Sequence, residues 1–117
     1  MNCDRNWWIP RDAQRAIAAG ACDRMMPDLM KIGGITGWLL VSGMAEAASI
    51  PVSSHLFIEA SAHVLPVKRT FDWLEFMDFG SAVLAEPNTV IDGCVIPRGP
   101  GLGIVWNESA AEKYLMN

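Results

Sequence analysis

The chain has 117 residues, of which 51% are hydrophobic and 19% are charged, and its formal net charge is −4. This composition is typical of a globular domain with a hydrophobic core and excludes an intrinsically disordered chain. Because the sequence has no run of Lys or Arg, we expect no nucleic-acid partner. The longest apolar run, around Trp38–Val41, is far too short to span a bilayer, so we expect no membrane association.

The cysteine content gives an expectation about the cellular compartment. Cys3, Cys22 and Cys94 lie far apart and form no Cys-x-x-Cys pair, so neither a zinc site nor a redox dithiol is indicated. The odd number of cysteines, together with an N-terminus that lacks the basic and apolar stretches of a secretory signal, favours a cytoplasmic location.

The first two-thirds of the chain alternates between predicted helices and short apolar segments. In chain order, the predicted elements are a helix over Arg11–Ala19, an apolar segment over Met25–Ile32, a helix over Ile35–Ser49, a strand over Ile50–His55, a short helix over Phe57–Val64 and a strand over Phe71–Met77. Gly20 ends the first predicted helix, and the Gly33-Gly34 pair separates the apolar segment from the second predicted helix. Such alternation is typical of βα units whose strands form a parallel sheet.

The last third of the chain has a different pattern. Short extended pieces are predicted over Ala82–Leu84, Thr89–Ile91 and Cys94–Ile96, followed by a Gly/Pro-rich loop over Pro97–Gly103. The Asp92-Gly93 pair indicates a hairpin turn between the last two extended pieces. A terminal helix is predicted over Glu108–Leu115, with Asn107 as its N-cap. Since no linker or repeat is visible, residues 1–117 are interpreted as one unit.

Three ionisable residues, Asp28, His55 and Glu75, interrupt the apolar segments. They are separated by 27 and 20 residues, roughly one βα unit in each case. In a (β/α)₈ barrel the C-terminal ends of successive strands converge on one mouth, where the active site lies. We therefore expect these three side chains to share a pocket.

This set of side chains could abstract a proton next to a carboxylate. A carboxylate beside a histidine fixes the imidazole tautomer and raises the basicity of the other ring nitrogen. A protonated Glu can donate a hydrogen bond to a developing oxyanion. Such chemistry also needs a divalent metal to stabilise the enediolate.

Structural interpretations of the same residues stay open at this point. Asp28 precedes a Gly-Gly loop and could be a turn or cap residue. His55 could be a hydrogen-bonded histidine near the surface, and Glu75 could point outward from a half-exposed strand.

Several longer motifs resemble the mandelate racemase subgroup of the mandelate racemase/muconate lactonizing enzyme family, within the enolase superfamily. The segment Met26-Pro27-Asp28-Leu29-Met30-Lys31-Ile32-Gly33-Gly34-Ile35-Thr36-Gly37-Trp38 resembles the family's sixth-strand region. The segment Pro51-Val52-Ser53-Ser54-His55-Leu56-Phe57 is similar to the seventh, and Trp73-Leu74-Glu75 resembles the eighth. The resemblance runs from about Trp7 to the C-terminus and implies an α/β fold, the C-terminal part of a (β/α)-barrel, with a hairpin and terminal helix.

The resemblance also implies roles for the three ionisable residues. His55 would be the general base that takes or returns the α-proton, Asp28 its dyad partner, and Glu75 the acid that hydrogen-bonds the substrate carboxylate. The family uses Mg²⁺ and acts on hydroxy acids, commonly mandelate-like acids or sugar acids. By family, the enzyme would be a racemase or a dehydratase.

The sequence departs from the family pattern at the metal site. No Lys-x-Lys motif is present, and the capping domain and first barrel strands that carry two metal carboxylates have no counterpart here. Arg5 occupies the position of the third carboxylate ligand, and a guanidinium cannot coordinate magnesium. We therefore expect the isolated chain to be inactive. The alternatives are a non-catalytic gene product, an interaction fragment, a homo-oligomer, or one half of a split enzyme that needs a complementary N-terminal half.

Overall fold

The computed structural model describes residues 6–116 of the chain, in which the helices and strands are short and separated by irregular segments. The α-helices are α1 (Pro10–Ala18), α2 (Gly34–Ala47), α3 (Ile58–Val64) and α4 (Glu108–Ala111). Three 3₁₀-helices cover Leu65–Val67, Ser81–Val83 and Glu112–Tyr114, and two strands form a hairpin, β1 (Val90–Ile91) and β2 (Cys94–Val95). The predicted helices at the positions of α1, α2 and α3 are confirmed, with ends that differ by at most two residues.

Between the helices, three extended stretches lie side by side and run in the same direction. We call residues 25–28, 52–55 and 71–75 the first, second and third parallel segments. Parallel bridges join the first segment to the second and the second to the third. The predicted parallel order is therefore present, but the segments make isolated bridges instead of the full-length strands predicted over Ile50–His55 and Phe71–Met77.

The backbone hydrogen bonds explain why these bridges stay parallel. The Met25 amide donates to the Pro51 carbonyl at 2.9 Å, and the Ser53 amide donates to the Met25 carbonyl at 2.8 Å. On the other side, the Val52 amide donates to the Thr70 carbonyl at 2.9 Å. Met25 thus bonds through its amide and its carbonyl to the two residues that flank Val52, which is the pattern of a parallel ladder.

The hydrophobic core lies between α1, α2 and the first two parallel segments. Trp38 and Val41 of α2 and Met25 and Val52 of the parallel segments are fully buried. Burial of these side chains removes apolar surface from water and is the main term that holds the helices against the segments. The core therefore fixes the parallel segments that carry the candidate site residues.

The hairpin and the terminal helix follow from local sequence. Val90 pairs with Val95 and Ile91 with Cys94 in antiparallel register. Asp92 and Gly93 both have positive φ, 50° and 76°, as the predicted two-residue turn requires. The Asn107 side chain accepts a hydrogen bond from the Ala110 amide at 3.1 Å, which confirms it as the N-cap of α4.

Two predictions in the last third are wrong in part. The piece predicted as extended over Ala82–Leu84 is mostly a 3₁₀-helix over Ser81–Val83, and only Leu84 makes an antiparallel bridge, to Trp106. The Asp78 carboxylate accepts hydrogen bonds from the Gly80 and Ser81 amides, which favours a turn at this point. The predicted terminal helix continues as a 3₁₀-helix after α4, since its last turn tightens.

The part of the chain that the structure describes has no helix long and apolar enough to cross a membrane. Many large apolar side chains are nevertheless exposed. Among those on and after the third parallel segment are Phe71, Trp73, Phe76, Met77 and Phe79. These exposed apolar side chains are close together in the chain, unlike the single scattered apolar residues that are common on protein surfaces.

Candidate active site

The structure brings together the three ionisable residues that were predicted to share a pocket. Asp28 ends the first parallel segment and His55 ends the second, and the two residues form a parallel bridge. Glu75 ends the third segment and reaches the same imidazole from the other side. Asp28 is only 3% exposed and His55 only 7%, so the ring lies in a largely water-excluded position.

The closest contact of the imidazole is with Glu75. Nδ1 of His55 lies 2.6 Å from Oε2 of Glu75, a short distance typical of a charge-assisted hydrogen bond. When Glu75 is ionised it can only accept, so the proton of this bond belongs to Nδ1. The same carboxylate oxygen also accepts a hydrogen bond from the Leu56 amide at 3.0 Å. Glu75 therefore holds both the ring and the backbone that follows it.

Asp28 contacts the opposite edge of the ring and also holds a turn. Its Oδ2 lies 3.7 Å from Nε2 of His55, an ion-pair distance beyond direct hydrogen-bond range. Its Oδ1 accepts a hydrogen bond from the Met30 amide at 2.8 Å. One Asp28 oxygen therefore holds the predicted turn, and the other faces the imidazole of His55.

The backbone directly after His55 adopts an uncommon conformation. Leu56 and Phe57 both lie in the left-handed region, with φ of 52° and 46°. Non-glycine residues rarely take this conformation, and it costs roughly 1–2 kcal/mol for each residue. The Leu56 amide is held by Glu75, and the Leu56 carbonyl accepts a 2.7 Å hydrogen bond from the hydroxyl of Ser61 in α3.

Ser53 and Ser54 are the polar neighbours of His55 that the sequence analysis passed over. Both are buried, and Ser54 is fully buried. The Ser54 hydroxyl accepts a hydrogen bond from the Glu75 amide at 3.0 Å, and the Ser53 hydroxyl accepts one from the Trp73 amide at 3.3 Å. The signal in the sequence is the adjacent pair of hydroxyl side chains inside an apolar segment, since buried hydroxyls require partners.

The described residues do not by themselves fit a magnesium site. Within residues 6–116, no group of three or more His, Cys, Asp or Glu side chains is arranged to hold a metal ion. Magnesium requires near-octahedral oxygen ligands, whereas the Asp28 and Glu75 oxygens contact backbone amides and the imidazole ring. The prediction for Arg5 falls outside the described residues.

The geometry suits proton transfer at a single imidazole. One ring nitrogen is held by a carboxylate, which fixes the tautomer and leaves the other nitrogen as the basic atom. The second carboxyl group faces that other nitrogen, so an acidic side chain lies at each edge of the ring. A histidine in this setting can accept a proton from a weakly acidic carbon only where a substrate displaces one of these contacts.

The chain matches one family model and several curated proteins. The family model described as "Enolase C-terminal domain-like" matches residues 3–110. Among curated relatives, the D-gluconate dehydratase of Thermoproteus tenax is 30% identical over 115 residues, which cover 89% of this chain and 23% of that protein. The 3,6-anhydro-α-L-galactonate cycloisomerase of Streptomyces coelicolor is 36% identical over 96 residues, which cover 80% of this chain and 27% of that protein.

Solved structures give closer matches. An enolase from Bradyrhizobium, crystallised with magnesium and mandelic acid, superposes with a TM-score of 0.94 at 61% identity, covering 99% of this chain and 32% of that one. An enolase from alphaproteobacterium BAL199 with bound magnesium gives a TM-score of 0.90 at 42% identity, covering 96% of this chain and 31% of that one. The chain therefore spans about a third of the length of these solved structures, and about a quarter of the two curated relatives.

Proposed function

Because the chain belongs to the enolase C-terminal domain-like family, we propose that it is the C-terminal portion of a magnesium-dependent enzyme that abstracts the α-proton of a hydroxy-acid or sugar-acid carboxylate. The observation that carries the proposal is the buried imidazole of His55 between the carboxylates of Asp28 and Glu75. In this proposal residues 25–28, 52–55 and 71–75 correspond to the sixth, seventh and eighth strands of a (β/α)-barrel.

His55 is the residue that takes or returns the α-proton. Its burial protects the base from water, and the facing Asp28 carboxylate stabilises the imidazolium formed when the proton arrives. Asp28 acts as the dyad partner, because its backbone bridge to His55 and its bond to the Met30 amide keep it beside the ring.

Glu75 acts as the acid that hydrogen-bonds the substrate carboxylate. An ionised Glu75 would repel that carboxylate, so the proposal requires a protonated Glu75 when substrate is bound. It also requires the 2.6 Å contact with Nδ1 to open, which leaves Asp28 as the carboxylate nearest to the ring. The Glu75 side chain is about a quarter exposed, at 27%, so it is the more accessible of the two carboxylates.

The proposal covers the first step of the reaction, which is abstraction of the α-proton. Racemisation and dehydration share this first step and differ in where the proton or the leaving group goes next. The names of the relatives include both dehydratases and cycloisomerases, and the Bradyrhizobium structure holds mandelic acid. We propose a hydroxy-acid or sugar-acid substrate on this basis.

We propose that the chain alone is inactive and needs further residues to complete the site. Magnesium ligands would have to come from outside residues 6–116, either from a complementary N-terminal half or from a second copy of this chain. The exposed apolar side chains on the third parallel segment are the surface that such a partner would cover. A complete barrel takes about 250 residues, which is more than twice the length of this chain.

The first experiment tests metal binding by the chain itself. Magnesium binding is measured by calorimetry, with the oligomeric state determined in the same sample. We expect no binding by the isolated chain. Tight binding by a defined oligomer would contradict the proposed inactivity and would mean that copies of the chain build an intermolecular metal site.

The second experiment tests the catalytic role of His55 in a complete barrel. The chain replaces the matching third of the Bradyrhizobium enolase, and exchange of the α-proton of mandelate and other hydroxy acids is followed by NMR in deuterated water. We expect magnesium-dependent exchange that falls by about 10²–10⁴-fold in His55→Asn, the range for loss of a general base. His63→Asn, which changes the other histidine, is the matched control. A folded, magnesium-binding chimera in which His55→Asn exchanges as fast as the parent would overturn the assignment.

A further inference from the structure

The two sides of the second parallel segment differ in register. On one side, Met25 bridges Val52 and Asp28 bridges His55, so the bridges lie three positions apart on both segments. This regular spacing places Asp28 directly beside His55. The first contact of the imidazole thus follows from the equal spacing of the two bridges on both segments.

On the other side, the ladder contains one extra residue. Val52 bridges Phe71, and its amide donates to the Thr70 carbonyl. A regular ladder would next take the Ser54 amide to the Asp72 carbonyl, but Ser54 donates to the Trp73 carbonyl at 2.9 Å. This is the pattern of a β-bulge, in which two residues on one strand stand opposite one on its neighbour.

The bulge decides which side chain meets the imidazole. Without the extra residue, Leu74 would stand beside His55, since Leu74 lies three positions after Phe71 and His55 lies three positions after Val52. With the extra residue, Leu74 packs against the hydrophobic core and Glu75 reaches Nδ1. A shift of one residue reverses the direction of every later side chain, because side chains alternate along a strand.

Two serine hydroxyls accept hydrogen bonds from backbone amides of the bulged stretch. The Trp73 amide donates to the Ser53 hydroxyl, and the Glu75 amide donates to the Ser54 hydroxyl at 3.0 Å. Ser54 is fully buried, so loss of its hydroxyl would leave the Glu75 amide without this acceptor. Ser54 therefore holds the backbone of Glu75 while the carboxylate of Glu75 holds His55.

We infer that Ser54 is a positioning residue, whose hydroxyl stabilises the bulged register and thereby sets Glu75 against Nδ1 of His55. Any effect of this placement on proton transfer by His55 rests on the proposed function. The placement itself rests only on the hydrogen bonds among Ser54, Glu75 and His55. A measurement of the ring hydrogen bond thus separates the failure of this inference from a failure of the proposed function.

The test is NMR of the chain labelled with ¹⁵N at histidine. The chain has two histidines, so the ring of His63 is an internal reference. In the parent chain we expect a downfield proton on Nδ1 of His55, hydrogen-bonded to Glu75. In Ser54→Ala we expect this signal to disappear or to move strongly upfield, with the signals of His63 unchanged. Ser54→Cys, which keeps a side chain of similar size but offers only a weak acceptor, is expected to behave like Ser54→Ala.

Ser42→Ala is the matched control for loss of a buried hydroxyl. Ser42 is fully buried in α2, and its hydroxyl donates to the Leu39 carbonyl, away from the site. We expect this variant to keep the His55 signal. A His55 signal that persists in both Ser54 variants would overturn the inference, as would its absence from the parent chain or its equal loss in Ser42→Ala. If Ser54→Ala does not fold, Ser54→Cys alone decides between these results.

Discussion

Asp28 and His55 form a parallel backbone bridge and also face each other through their side chains, with Oδ2 of Asp28 3.7 Å from Nε2 of His55. The other oxygen of Asp28 is occupied by the Met30 amide at 2.8 Å. One carboxylate thus links the turn after the first parallel segment to the edge of the imidazole. This double contact allows the structural and electrostatic contributions of Asp28 to be separated by substitution.

Two substitutions of Asp28 are predicted to differ in stability. Asp28→Asn keeps an oxygen that can accept from the Met30 amide but removes the charge that faces His55, so we expect a small change in the free energy of unfolding. Asp28→Ala also removes the turn acceptor and is expected to cost about 1 kcal/mol more, since the amide loses its partner. Urea unfolding of the parent and both variants measures the difference. Equal stability of the two variants would show that the turn contact contributes nothing.

Trp38 is predicted to be the most sensitive position of the core. Its side chain is fully buried, and its Nε1 has no hydrogen-bond partner among the described residues. Trp38→Ala is expected to destabilise the chain by about 3–5 kcal/mol through loss of burial and a residual cavity. Trp38→Phe is expected to cost much less, because the phenyl ring fills most of the space of the indole ring and no hydrogen bond is lost. Thermal or urea unfolding that ranks the two variants equally would contradict this.

The C-terminus of α2 contains a strained position that glycine should relieve. The Ile50 amide donates to the Ala45 carbonyl and the Ser49 amide to the Glu46 carbonyl, the two bonds of a Schellman motif. Ser49 takes the left-handed position of this motif with φ of 57° and is exposed. We expect Ser49→Gly to stabilise the chain by about 1 kcal/mol, because glycine adopts this conformation without steric cost.

Ala48→Gly is the matched control for this prediction. Ala48 precedes Ser49 and has φ of −91°, where a side chain costs nothing and glycine only adds entropy to the unfolded chain. We expect it to destabilise the chain slightly. A stabilisation of similar size in both variants would mean that the positive φ of Ser49 carries no strain.

Asp78 is predicted to make stability depend on pH in the acid range. Hydrogen bonds from the side chain and the amide of Ser81, and from the Gly80 amide, hold the pKa of Asp78 below its ordinary value. Because the pKa is lower in the folded state, the stabilisation is present above the ordinary value of about 4 and is lost as the pH falls through the folded value. The difference in unfolding free energy between the parent and Asp78→Asn should therefore shrink on acidification below about pH 4. A difference that stays constant with pH would contradict the assigned cause.

The sequence alone predicted the elements that depend on local chemistry. The helices at α1, α2 and α3, the Asp92-Gly93 turn and the Asn107 cap are confirmed, because caps, glycines and turn pairs act through neighbouring residues. The proximity of Asp28, His55 and Glu75 also followed from their spacing in the chain. Their catalytic roles stay predictions.

What only the tertiary structure decided is the register between the parallel segments. The sequence does not show that Phe71 to Glu75 carries one residue more than the matching stretch from Val52 to His55. That extra residue puts Glu75, and not Leu74, beside the imidazole and brings it closer to the ring than Asp28. Register depends on hydrogen bonds between residues about 20 positions apart, and a side-chain period of two gives no local sign of a shift by one. The sequence by itself determined which ionisable groups are available, and the packed segments decided which of them meet.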